Sequence, residues 1–390
     1  MTYQPLSEVR KTLRVDWYRC AMKPGRLREL SRRSDAQAWF QAGGHFGLFL
    51  LTGAFVVGFW WNELWLGFVL ALFCHGTVAS FFTGTAPHEL GHGTVFKTKW
   101  LNKVFLYLFS LIGWWDPFDY ASSHTYHHRY TLHVKGDREN LLPLEPSLAS
   151  TFMLQMFTIN LLTQRGRTFG KGGLISTLII TALGAVGRVP ADERAPINEW
   201  LKALHTDQPE QHRRSILWSR ILLAFHGGVL LVAVVSGWWV LPLLLTLPAF
   251  IANWLSYFVG LTQHCGLRDY SRDFRKNTRS IRLNPLFSFL YWRMNWHIEH
   301  HMYAGVPCYN LGKLYDEIKD DMPAPRSLVG AWQEMRMIWE RQKTEPDYQY
   351  DTPLPPTANP EPPTEAASPQ PATELERSIG DLAPAGLHEG

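Results

Sequence analysis

Three short stretches of this chain crowd histidine together: "HELGH" at 88–92, "HTYHH" at 124–128 and "HIEHH" at 297–301. They place His88 and His92 at i, i+4. His124, His127 and His128 fall at i, i+3, i+4, and His297, His300 and His301 repeat that spacing. On a helix, positions three and four apart share one face. A ninth candidate, His264, stands in "GLTQHCGL". Neutral imidazole suits borderline divalent metals such as iron and zinc. Nine histidines are too many for one ion and suit two, with positions left for oxygen or water. Mutual repulsion keeps such a cluster neutral without metal. Each ligating ring also needs an acceptor for its second N–H. Glu89, Asp116, Asp119, Asp137, Glu139, Asp269 and Glu299 are near enough in sequence to serve.

Such a cluster forms only if the elements carrying it end at one place. The chain has 390 residues, a net charge of +4, 17 Trp and 22 Phe, and its apolar residues are strongly segregated. "FGLFLLTGAFVVGFWW" (46–61) breaks at Asn62-Glu63 and resumes as "LWLGFVLALFCHGTVASFFTGTA" (64–86). "ILLAFHGGVLLVAVV" (221–235) breaks at Ser236-Gly237 and resumes as "WWVLPLLLTLPAFIANWLSYF" (238–258). Each run is close to the roughly 20 residues a spanning helix needs, although the first is short. The alternative, a buried hairpin in a soluble core, fits the run lengths less well. Pro242 and Pro248 are tolerated in membrane helices. Trp60, Trp61, Trp65, Trp238 and Trp239 flank the two turns, where an aromatic belt lies. Two weaker patches, 152–162 and 174–186, read as interfacial or half-buried helices or as a short third hairpin.

Two hairpins put residues 1–42, 87–215 and 259–390 on one side. Those regions hold nearly all the Lys and Arg, and the turns at Asn62-Glu63 and Ser236-Gly237 hold none. The positive-inside tendency makes that side cytoplasmic. All nine histidines then emerge on the same face. The expected fold is an all-α integral membrane protein with four principal transmembrane helices and a cytosolic helical cap carrying the histidine site. The expected divisions are a basic cytosolic segment (1–42), a membrane domain with its cap (43–343) and a disordered Pro-rich tail (344–390).

The order and spacing of the three boxes resemble the membrane fatty acid desaturase family. "WHIEHHMYAGVPCYNL" is similar to that family's third-box continuation, with Pro307 and Leu311 after the HH pair. His264 is similar to the family's lone histidine after the fourth spanning helix. The resemblance covers roughly 43–320. It implies a non-haem di-iron centre with His88, His92, His124, His127, His128, His264, His297, His300 and His301 as ligands, and O2 as co-substrate. It also implies an electron donor and its reductase, and a fatty acyl substrate in a shielded channel. The sequence shows neither a fused cytochrome b5 segment nor a ferredoxin-like cysteine array, so the donor is expected to be a separate ferredoxin, rubredoxin or cytochrome b5-like protein. Relatives with the same boxes hydroxylate, so a hydroxylase of a lipid or smaller substrate is the alternative outcome.

Other readings explain less. "HELGH" is a literal HExxH, which on its own reads as a membrane zinc protease with Glu89 as base, but seven clustered histidines are left over. Glu89 to His92 also reads ExxH, yet a carboxylate di-iron bundle needs two such motifs and further glutamates. A metal carrier would hold ligands at mid-membrane rather than at helix ends. His133 reads as a supporting or surface group. Cys265 reads as a buried free thiol. His75 and His226, inside apolar runs, are either functional or bonded to backbone carbonyls. Four scattered cysteines argue against a disulfide framework. The N-terminus lacks the apolar core of a signal peptide, and the basic first forty residues read as a cap touching anionic headgroups. The mild net charge and absence of recognition motifs give no sign of a nucleic-acid partner.

Overall fold

The computed structural model describes residues 3–164, 166–170, 172–191 and 195–362. Nearly all regular structure is helical. Among the described residues the one sheet is a parallel pair of two-residue strands, Ile281–Arg282 with Arg326–Ser327. Three segments are long and apolar enough to cross a bilayer: Asp35–Trp61 and Trp65–Gly91, 27 residues each, and Pro209–Ser236 with 28. At 1.5 Å per residue the unbroken Asp35–Trp61 and Pro209–Ser236 are about 40 Å long, against a hydrocarbon core of about 30 Å, whereas Trp65–Gly91 is interrupted after Ala79. Their ends therefore protrude into the polar region. Their flanks are apolar and uncovered: Leu50, Leu51, Phe55, Leu66, Val69, Leu70, Leu231 and Val235 are all exposed. The cap, the region carrying the histidine boxes, has a buried apolar cluster including Phe274, Trp292, Met302 and Leu311, and beside it buried histidines, Asp137, Glu139 and Glu299. The long uncovered apolar flanks mark a membrane protein.

The fourth apolar run differs from expectation. It is not one helix but a helix at Val240–Leu245, a 3-10 turn at Pro248–Phe250 and a helix at Trp254–Gly260. Proline has no N–H to give, so Pro242 and Pro248 free carbonyls that need donors from elsewhere. His75 Nε2 lies 3.1 Å from Leu244 O and Trp114 Nε1 gives 2.9 Å to Thr246 O. Asn160 N reaches Phe250 O at 2.8 Å, and Ile159 bridges Ile251. His75 is thus bonded to a backbone carbonyl. His226 is likewise, 3.0 Å from Leu111 O and stacked on Trp114.

The weak patches form short helices, Ser150–Phe157 and Leu174–Ala185, the second packed on Pro209–Ser236 through Thr177 and Thr181. The tail also differs from expectation. Residues 344–362 pack across the cap as a strap. Tyr350 N bonds Gly266 O, Lys276 Nζ reaches Thr352 O at 2.8 Å, Asn359 N donates to Asp321 Oδ1 and Arg268 pairs with Glu361. Its composition cannot build a core of its own, but it borrows charged and backbone partners from the cap. The remainder of the expected disordered tail, 363–390, lies outside the described residues.

Gly76 lets the Trp65–Ala79 helix approach the broken run closely, since an added Cβ would stand 2.4 Å from Ile251 O. We expect Gly76→Ala to destabilise the protein by about 1–3 kcal/mol through this overpacking. Gly58→Ala, which meets open space, should be neutral or slightly stabilising. Unfolding curves of the two variants in detergent check this.

Candidate metal centre

Each histidine box occupies its own helix. Thr85–Gly91 begins after Gly84, whose φ of 85° bends the chain away from the preceding apolar helix, and His92 caps its end. The second box ends the Pro117–Tyr130 helix. That helix is started by Pro117 and by Asp116, whose Oδ1 accepts from Phe118 N and Asp119 N at 2.9 and 3.1 Å. The third box is the His297–Met302 helix. His264 follows Trp254–Gly260.

The nine rings meet in two groups. His88, His92, His124, His128 and His300 form one, and His127, His264, His297 and His301 the other; within each, one nitrogen per ring lies within 4.8 Å of the rest. The i, i+4 pair of each HxxHH box enters one group, and its i+3 member crosses to the other. His128 and His301, from different groups, have ring centres only 4.6 Å apart.

Ring nitrogens within the groups point at each other. Nε2 of His128 is 2.9 Å from that of His124 and 3.1 Å from that of His300. Nε2 of His297 is 3.2 Å from those of both His264 and His301. A neutral Nε2 carries either one proton or one lone pair, so an atom with two such contacts can satisfy only one of them. Nε2 of His88 and of His92 is buried with no partner. Two nitrogens bound at about 2.1 Å to one ion, at right angles, lie about 3 Å apart. The donor set therefore fits two borderline metal ions.

Several of the opposite ring nitrogens meet acceptors, whereas Nδ1 of His128, His297 and His300 makes no hydrogen bond. His124 Nδ1 lies 3.0 Å from Glu139 Oε1, and His127 Nδ1 2.9 Å from Asp137 Oδ2. His88 Nδ1 and His300 Nδ1 lie 3.1 and 3.3 Å from the same Glu89 oxygen. His264 Nδ1 lies 2.9 Å from Asn277 O. These acceptors place the proton on Nδ1 and leave Nε2 free to ligate. Of the seven carboxylates named from sequence, only Glu89, Asp137 and Glu139 touch a box ring. Asp116 caps a helix and accepts from Ser215, and Asp119 pairs with His205. Glu299 accepts from Ser280, and Asp269 holds Gln349. The Asn277 carbonyl has no sequence signal. Tyr120, whose hydroxyl reaches His124 Nδ1 at 3.2 Å, stands four residues before it and was legible by helical spacing.

Burial, then the proximity of other rings, holds the imidazolium forms of His124, His128, His297, His300 and His301 well below the usual histidine range. His92 is at about 4 and His264 at about 3 for the same reasons. Burial also pulls His127 down, but Asp137 and Glu139 outweigh it and raise it. Burial pushes Glu139 up to about 7. Burial acts on Asp137 too, but His127 and the backbone N–H groups of Glu139 and Leu132 overcome it and keep it low. The cluster is thus mostly neutral and available to a cation.

His133 stays outside both groups, bonded through Nδ1 to Tyr130 O and Thr131 O. Cys265 is a buried free thiol 3.2 Å from Leu144 O. Glu89, the base of an HExxH protease, is instead directed at two rings.

A cavity of about 80 Å³ lies between the Leu174–Ala185 and Pro209–Ser236 helices, lined by Trp115, Phe169, Thr181 and Ser219 and, at a polar part, Asp116, Asp119, Arg188, His205 and His212. Trp115 and Phe169 touch Tyr120, with ring centres 5.1 and 5.6 Å away, and Tyr120 stacks on His124 at 4.9 Å. An aromatic wall therefore separates the cavity from the first histidine group.

Comparison with known proteins agrees with this geometry. The model of the fatty acid desaturase family matches residues 59–330, well over half of the chain and spanning all three boxes. The chain belongs to the fatty acid desaturase family, and it is an oxidoreductase of the membrane. No curated protein matches it.

Asp137→Ala should weaken metal retention about 10–100-fold, because His127 loses the acceptor that orients it. Asp269→Ala, remote from the rings, should leave it unchanged. Metal content after dialysis against a competing chelator measures both.

Proposed function

We propose that this protein binds two irons through the nine histidines and catalyses O2-dependent oxidation of an unactivated C–H bond, introducing a double bond into a fatty acyl chain. The observation that carries this reading is the sharing of the HxxHH boxes, each giving two rings to one group and one to the other. Such an arrangement suits two adjacent ions rather than one. The reaction is CH2–CH2 + O2 + 2 e⁻ + 2 H⁺ → CH=CH + 2 H2O. The irons, when bound, supply the activation of O2 that the side chains lack.

The chain's own part is to orient and exclude. Glu89, Asp137 and Glu139 fix the ring tautomers. Glu139, with its raised pKa, can hold a proton at its carboxyl beside His124. The Trp115, Phe169 and Tyr120 wall keeps bulk water from the site and defines where a methylene can lie. Electrons come from a separate carrier, a ferredoxin, rubredoxin or cytochrome b5-like protein, served by its own reductase.

The reading includes a multi-pass topology of four crossings. The fourth is the interrupted 238–260 segment, whose carbonyls are satisfied by neighbouring helices as backbone in a membrane requires. The Lys and Arg distribution supports a cytoplasmic site. The divisions remain a cytosolic segment at 1–42 and a membrane domain with its cap at 43–343, now extended by the strap.

One observation favours a second reading, hydroxylation of a lipid or of a smaller non-lipid substrate. The cavity is about 80 Å³, less than the roughly 150 Å³ that holds benzene. Its lining includes Arg188 and the Asp119–His205 pair. A polar group on a short substrate has partners there.

Purified protein should carry two irons per chain, and His127→Ala or His300→Ala should lose iron and turnover together. Full activity in either variant, or one zinc and no iron in the wild type, would overturn the reading. Membrane fatty-acid profiles of cells with and without the protein separate the two substrates. A new unsaturated chain supports the first, and an unchanged profile supports the second.

A further inference from the structure

Among the described residues, two aromatic side chains other than histidine place their rings against the box histidines. Tyr120 leads to the cavity. Phe274 leads elsewhere: its ring centre is 5.3 Å from that of His301, and Phe274 is itself buried. On its far side Trp17 stacks at 4.1 Å with 11° between planes. Trp17 is only half-buried. Its Nε1 donates to Arg129 O at 2.9 Å, which fixes the indole against Phe274. A continuous line of π-systems therefore runs from the surface of the cap to the second histidine group. It ends on His301 of the second group, whereas the wall of the cavity ends on His124 of the first, and neither Trp17 nor Phe274 lines the cavity.

The surface around Trp17 is cationic. Arg14, Arg19, Arg129 and Lys135 are exposed, and none of them is in an ion pair among the described residues. Asp16, the nearby exposed acid, is engaged by Arg272 at 3.4 Å. Unneutralised positive charge around a fixed aromatic suits a negatively charged protein partner. Such complementarity raises the encounter rate and makes it sensitive to salt.

We propose that the Trp17 surface is the docking site of an acidic one-electron carrier protein, and that electrons enter through Trp17 and Phe274 to His301. This rests on the di-iron reading above. Each encounter would oxidise one carrier by one electron, and two such electrons would take a bound iron pair from the diferric to the diferrous level. No bond is made or broken along the route. The rings shorten the through-space gaps between carrier and metal, and electron transfer falls steeply with such gaps.

The test uses full-length, iron-loaded protein in detergent, without oxygen, and a reduced acidic [2Fe–2S] ferredoxin as probe. Reoxidation of the ferredoxin is followed by stopped flow, with dithionite reduction of the irons and iron content measured in parallel. Trp17→Leu should slow reduction by saturating ferredoxin at least tenfold while leaving dithionite reduction and iron content unchanged. Arg19→Glu with Arg129→Glu should raise the half-saturating ferredoxin concentration at least tenfold at low salt and flatten its salt dependence. An iron-loaded Trp17→Leu protein reduced at the wild-type rate would overturn the route. Should that variant lose its iron, the charge reversals decide, and an unchanged half-saturation would overturn the docking site. Wild-type protein without iron would instead overturn the di-iron reading itself.

Discussion

Everything in the cap is arranged around one electrostatic constraint. Nine imidazoles are removed from water, with a nitrogen of each ring within 4.8 Å of the others in its group and four pairs at 2.9–3.2 Å. Few such groups tolerate this together as cations, and as neutral rings they leave several lone pairs facing each other. Buried polar atoms without partners cost about 1–3 kcal/mol each. The protein therefore holds a concentration of donor nitrogens that a cation between them would stabilise. Glu89, Asp137 and Glu139 complete the arrangement from outside, where they decide which nitrogen carries the proton.

Helix geometry distributes the rings. In an α-helix the i+4 residue lies almost above residue i, while the i+3 residue is turned to the side. His124 and His128 face one group, and His127 is turned to the other. On the third box, His297 and His301 face the second group and His300 is turned to the first. Two helices that repeat one five-residue pattern can thus interlock two ligand sets side by side. The first box and His264 then supply the asymmetry, two rings to one set and one to the other.

Much of this was legible in the sequence because it depends on local periodicity. The boxes, their shared face and the long apolar runs all follow from spacing within one helix, and His264 follows from its place after the last run. What escaped depends on contacts between distant segments. Pro242 and Pro248 read as tolerated kinks, but the break they make depends on His75, Trp114 and residues 158–160 arriving to bond the freed carbonyls. The segment beyond Thr344 reads as disordered by composition, yet Lys276, Arg268 and Gly266 offer it partners that no local pattern encodes. Four of seven carboxylates near the boxes serve other purposes because proximity along the chain does not give direction in space.

The interrupted run has a mechanical meaning. Its carbonyls are bonded from three other parts of the chain: His75 on the second apolar helix, Trp114 after the Lys99–Ile112 helix, and Asn160 beyond the Ser150–Phe157 helix. Sliding any of these past the others would leave a carbonyl without its donor, at about 1–3 kcal/mol apiece where it is buried. The segment works as a keystone, and it continues directly into the helix that ends just before His264. The position of the histidine groups relative to the apolar helices is thereby set by masonry among those helices as well as by the loops.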